Sequence, residues 1–138
     1  MAAFATVSWG ATAPLAQPMP ADCDSIKLTG RSACAYASGD RYEGDFKAGR
    51  FDGRGTYTWH NGDRYEGGFK DGNFDGHGVL TRPGGSRFDG EFKDDRPNGP
   101  GTLKLGNGNV YTGTWAYGCF RDGDRMAWFR ATEQECGF

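Results

Sequence analysis

Long apolar runs are missing from this chain of 138 residues: no stretch approaches the ~18 uninterrupted apolar residues that a membrane-spanning helix needs. An excess of either charge is missing too. Sixteen Lys and Arg stand against 18 Asp and Glu, a net charge of −2, which excludes the basic footprint of a nucleic-acid binder. Histidine is reduced to His60 and His77, and no Cys–His pair, G-x-S-x-G or H-E-x-x-H accompanies them, so the catalytic inventory is thin and an enzymatic function has little support. His60 falls in a turn and His77 in a glycine-flanked segment read as a loop, where solvated positions are expected. Proline is scarce at 6, and the glycines do not recur every third position, which excludes collagen. Apolar residues make up 36%, below the usual ~45–50%. Aromatics nevertheless reach 14%, with 10 Phe, 6 Tyr and 4 Trp. That content argues against disorder and rests burial on rings.

Glycine is the surplus: 24 residues, roughly 17% against an average of about 7%. Its cause is a repeat. YEGDF at Tyr42–Phe46 recurs as YEGGF at Tyr65–Phe69, FDGEF at Phe88–Phe92 and YTGTW at Tyr111–Trp115, each start 23 residues after the last. Glycine columns obey the same period: Gly44, Gly67, Gly90 and Gly113; then Gly53, Gly76 and Gly99; then Gly55, Gly78 and Gly101. A partial copy precedes them, since Gly30–Gly39 aligns with Gly53–Gly62. The last copy decays, because Asp122 stands where the glycines of the second column stand.

Arg41–Lys47 alternates with period two, putting Tyr42, Gly44 and Phe46 on one face, and Gly55–Trp59 alternates likewise. Asn61-Gly62 between Trp59 and Tyr65 is a hairpin signal. Each repeat therefore supplies two antiparallel strands, and the glycine between two rings leaves a socket for a neighbouring strand's ring. Phe51, Phe74 and Pro97 are expected to fold over the rings from loops. The fold expected is all-β: an elongated single-layer sheet of stacked hairpins, in which each unit touches its neighbours.

The unit Y-x-G-x-F/W-K-x-G-x-x-x-G-x-G-T-Y/L-T-x-x-x-G-D/S-R resembles the MORN motif, the membrane occupation and recognition nexus repeat, over residues 30–118, about two thirds of the chain. The resemblance implies a ribbon of β-hairpins. MORN arrays also occur beside catalytic domains, in plant phosphatidylinositol phosphate kinases and in a family of lysine methyltransferases. The roughly 20 residues after this array leave no room for such a domain, so the expectation is a non-enzymatic module without cofactor or metal.

The domain reading is a leader at 1–21, an array at 22–118 and a cap at 119–138. The array divides into a partial repeat at 22–41, full repeats at 42–64, 65–87 and 88–110, and a truncated one at 111–118. Residues 1–21 carry no charged side chain and read as a signal peptide lacking its basic region, or as a disordered leader. The four cysteines lie outside the three full repeats, and their spacing suggests Cys23–Cys34 and Cys119–Cys136 disulfides rather than a zinc site. An exported, periplasmic or secreted location follows, with the cytoplasm as the alternative. Arg125–Glu135 is a candidate helical cap laying Met126, Trp128 and Phe129 over the last strand.

Two surfaces could bind. Tyr42, Tyr57, Trp59, Tyr65, Tyr111 and Trp115 form an aromatic stripe that suits a protein or peptide partner in a concave groove, with Trp59 as the anchor because Arg82 and Leu105 continue its column. Lys47, Lys70 and Lys93, with Arg41, Arg64 and Arg87, form ladders that could face anionic phospholipid head groups. Glu43, Glu66 and Asp89 interleave with the arginines and favour a charge-balanced solvated face instead.

Overall fold

The computed structural model describes residues 21–138; the expected leader, apart from Ala21, lies outside the described residues. Nine strands form one sheet in chain order: β1 Ala21–Asp22, β2 Gly30–Ala35, β3 Arg41–Lys47, β4 Arg50–Thr58, β5 Arg64–Lys70, β6 Asn73–Thr81, β7 Arg87–Lys93, β8 Arg96–Lys104 and β9 Val110–Trp115. All neighbours are antiparallel except β1 and β2. This is the single-layer ribbon of hairpins that the repeat implies.

Two kinds of turn alternate. Within a repeat the strands join through two residues with φ above zero, Ala48-Gly49 (50° and 83°), Asp71-Gly72 (49° and 88°) and Asp94-Asp95 (50° and 71°), the backbone of a type I′ hairpin. Between repeats, Asn61-Gly62 closes a turn in which the Gly62 N–H donates to the Trp59 carbonyl (3.0 Å) and the Asp63 N–H to Asn61 Oδ1 (2.9 Å).

The second strand of each repeat is longer than the sequence suggests. It starts at Arg50, Asn73 or Arg96, so Phe51, Phe74 and Pro97 are strand residues rather than loop residues. They reach the rings because the register jumps: Asp52–Arg54 of β4 stand opposite Asp45 alone, and β6 and β8 repeat the bulge. Phe51 then stacks on Tyr42 (ring centroids 3.8 Å, 11°) and Phe74 on Tyr65 (3.9 Å, 10°).

The core runs along one face of the ribbon. Edge-to-face pairs link successive repeats, Tyr42–Phe69 and Tyr65–Phe92 at 5.1 Å and Phe88–Trp115 at 5.2 Å, each contributing about 0.5–1.5 kcal/mol beyond its buried area. The socket differs in one respect from the sequence reading. The ring of Tyr65 lies over Gly78 of the next strand, where a Cβ would stand 2.5 Å from Tyr65 Cε2 and Cζ, while a Cβ on Gly67 would strike the Gly78 backbone and the His77 carbonyl. Glycine faces glycine, and the ring belongs to the first strand itself.

The cap is not a helix. Cys119–Asp122 (β10) and Arg125–Trp128 (β11) form a separate hairpin, because this segment alternates with period two: Ala127 and Phe129 are buried while Met126 and Trp128 are 41% and 42% exposed. The cover over β9 is Phe120, at Gly113 and 5.2 Å from Trp115. Cys119 and Cys136 pair around this hairpin and Cys23 and Cys34 pair at the other end, with Cα separations of 5.5 and 4.9 Å, as the spacing suggests.

The aromatic face and its uncovered end

Three of the expected anchors are core. Tyr42, Tyr65 and Trp115 are 1%, 0% and 1% exposed, which leaves them no surface to offer a partner. Their polar atoms are satisfied inward: the Tyr42 and Tyr65 hydroxyls donate to the carbonyls of bulge-facing Asp45 (2.6 Å) and Gly68 (2.8 Å), and Trp115 Nε1 donates to the Gly101 carbonyl (3.2 Å). Burial pushes both tyrosine hydroxyls well above the usual tyrosine range, so they stay neutral donors. Tyr57, Trp59 and Tyr111 are only partly buried.

The C-terminal segment covers the downstream half of the aromatic face. Phe129 lies near-parallel to Phe88 (5.9 Å, 19°), beneath the Arg82 guanidinium (4.5 Å). Arg130 places its guanidinium over Phe74 (5.0 Å), and its Nε donates to the Asp95 carbonyl (2.6 Å). Arg96 pairs with Glu135 at 2.7 Å. Pro97 marks the spot in the sequence: it breaks the Phe51, Phe74 column and leaves Phe88 without the ring that its counterparts stack on, and Phe129 supplies one. Pro97 is visible in the sequence, but neither the partner it leaves Phe88 to find nor the role of Arg130 is legible from local pattern.

Upstream, the face is open. Tyr36, Phe51, Tyr57 and Trp59 wall a cleft of about 270 Å³ that ends at Phe74 and Arg130. Trp59 leans on Tyr57 (4.8 Å) and sets its edge against Phe74 (5.8 Å). The Tyr57 hydroxyl donates to Asp40 Oδ2 (2.9 Å), and the His60 backbone N–H donates to Asp40 Oδ1 (2.8 Å). Burial alone would raise the Asp40 carboxyl; the hydrogen bonds from His60 and Tyr57 outweigh it and hold the group below its usual range. Tyr111 sits instead at the far end, under the Arg125 guanidinium (4.6 Å), beside a second, apolar cleft of about 290 Å³ lined by Leu105, Met126 and Trp128.

The basic ladders are exposed throughout. Among the described residues, Arg87 is the one of the six that meets a carboxylate, Asp89 at 3.5 Å. His77 is not in a loop: it lies on β6 opposite Glu91, with Nε2 2.8 Å from Asp89. Among the described residues no three His, Cys, Asp or Glu side chains gather as a metal site, and no helix is long and apolar enough to cross a membrane.

A hairpin ladder of glycine-facing rings with bulged second strands defines a class of repeat protein. The MORN repeat profile matches residues 42–64, 65–87 and 88–110, half of the chain, and the chain belongs to the MORN repeat family. A search of curated protein sequences matched nothing. The family is one of repeat modules that are generally non-catalytic and commonly mediate protein or membrane interaction. The two cysteine pairs fit an oxidising environment.

Proposed function

We propose that the chain is a non-enzymatic binding module, exported to an oxidising compartment, that receives a segment of a protein partner on the uncovered upstream end of its aromatic face. The observation that carries the reading is the asymmetry of that face: the downstream rings are covered by Phe129 and Arg130, whereas Tyr36, Phe51, Tyr57 and Trp59 surround an open cleft. Partly exposed aromatics are the residues in which interface energy concentrates. Trp59→Ala should weaken capture of the partner by about 2 kcal/mol or more, with Lys70→Glu on the exposed basic ladder near neutral. Binding is compared at a temperature where circular dichroism shows both variants folded. Loss with Lys70→Glu and retention with Trp59→Ala would overturn the reading.

A second reading rests on the exposed ladder of Lys47, Lys70, Lys93, Arg41 and Arg64, which meet no carboxylate among the described residues and so support contact with anionic lipid. Liposome co-sedimentation that collapses as salt passes about 0.1 M would favour it, because screening then acts over ~10 Å.

A further inference from the structure

We infer that the open cleft is an arginine subsite: it takes the guanidinium of a partner's arginine over the Phe51 ring, one repeat upstream of the place where the chain's own Arg130 lies over Phe74. This rests on the protein-binding reading above and names the partner's chemistry.

The 23-residue period carries the argument. Phe74 and Asp95, the ring beneath Arg130 and the carbonyl it bonds, become Phe51 and Gly72 when shifted by one repeat, and both line the cleft. The turn geometry is shared, since the Gly72 N–H donates to the Phe51 carbonyl (2.8 Å) as the Asp95 N–H does to the Phe74 carbonyl (3.3 Å). The downstream copy of the site is thus filled by the chain itself and the upstream copy is open.

Two differences between the copies make the upstream one better suited to a cation. Trp59 stands in the column of Arg82, so a positive charge at the downstream site is replaced by the ring that attracts cations best. The rim is also acidic. Asp40 is hydrogen-bonded to Tyr57, and after burial itself the carboxylates of Asp24, Asp40 and Asp22 are what push the Tyr36 hydroxyl up. Arg130 is the like charge at the other end, one repeat or ~10 Å from the new site and so near the screening length at 0.1 M salt. Arginine fits better than lysine because its planar group stacks on a ring while its N–H donors still reach a carbonyl at the edge. Among the described residues Arg82, Arg121, Arg125 and Arg130 each lie over an aromatic ring, and Arg125 and Arg130 also donate to a carbonyl.

The probe is the blocked tetrapeptide Phe-Arg-Ala-Thr, the sequence of residues 129–132, titrated into ¹⁵N-labelled full-length protein. The expected result is a shift of the Trp59 indole N–H, with about tenfold weaker binding when citrulline, neutral and of the same shape, replaces the arginine. This arm needs no variant to fold. Equal binding of the two peptides, or no shift at Trp59 at millimolar peptide, would overturn the arginine assignment. If Trp59→Ala still abolishes partner capture in that event, the binding face stands and only its chemistry is wrong; if neither effect occurs, both readings fall.

Discussion

At the scale of single residues, the facing glycines decide whether the ribbon closes on its rings. Gly78→Ala should lower stability by about 1–3 kcal/mol, because the new methyl occupies the place of the Tyr65 ring. Gly67→Val should cost at least as much, since its branches meet the Gly78 backbone, which cannot rotate away. Gly84→Ala is the control: a Cβ there meets nothing within 4 Å, so its unfolding midpoint should match wild type. Equal midpoints for all four proteins would sink the socket account. Asp40 gives a pH signature. Its carboxyl is held below the usual value, so its stabilisation is present above the unfolded value near 3.8 and is lost as pH falls through the lower folded one. Thermal scans from about pH 6 down to about pH 2 should show a decline that is smaller in Asp40→Asn.

At the scale of elements, the C-terminal hairpin covers the last strand with Phe120, and the residues that follow it clip the second and third repeats. Phe129 is 4% exposed and replaces the ring that Pro97 cannot provide. Phe129→Ala should therefore cost about 3–5 kcal/mol and should open amide exchange around Phe88 and Phe92 before it affects β3 and β4. A uniform rise in exchange along the sheet would contradict that local role. The Cys119–Cys136 bond closes a separation of 17 residues around the same hairpin, a span for which loop closure alone gives about 3 kcal/mol. Removing it should mimic Phe129→Ala in the exchange pattern.

At the scale of the whole molecule, an open ribbon must protect both ends, and this chain does so with a disulfide at each. Native, unreduced mass spectrometry should find four hydrogens fewer than the fully reduced mass, and four alkylatable thiols would remove both bonds. Stability in a chain of neighbour contacts is distributed, so the repeats between the two caps should unfold last.

The amino-acid sequence by itself determined the repeat, its 23-residue period, the hairpin ladder, the inward face of rings and the cysteine pairing. All of these follow from local alternation, from turn chemistry or from spacing, which a one-dimensional pattern records. Only the tertiary structure decided which rings stay accessible. The sequence puts Tyr42 and Trp59 on one stripe and sets Trp59 apart only by its variable column, but bulges at Asp52–Arg54 and Asp75–His77 swing Phe51 and Phe74 onto Tyr42 and Tyr65 and bury them, while Trp59 lies past the stack. The return of Phe129 and Arg130 across the sheet was equally beyond local reading. It joins residues 41 and 56 positions apart in sequence, Phe129 with Phe88 and Arg130 with Phe74, and such contacts are set by the shape that the rest of the chain leaves open.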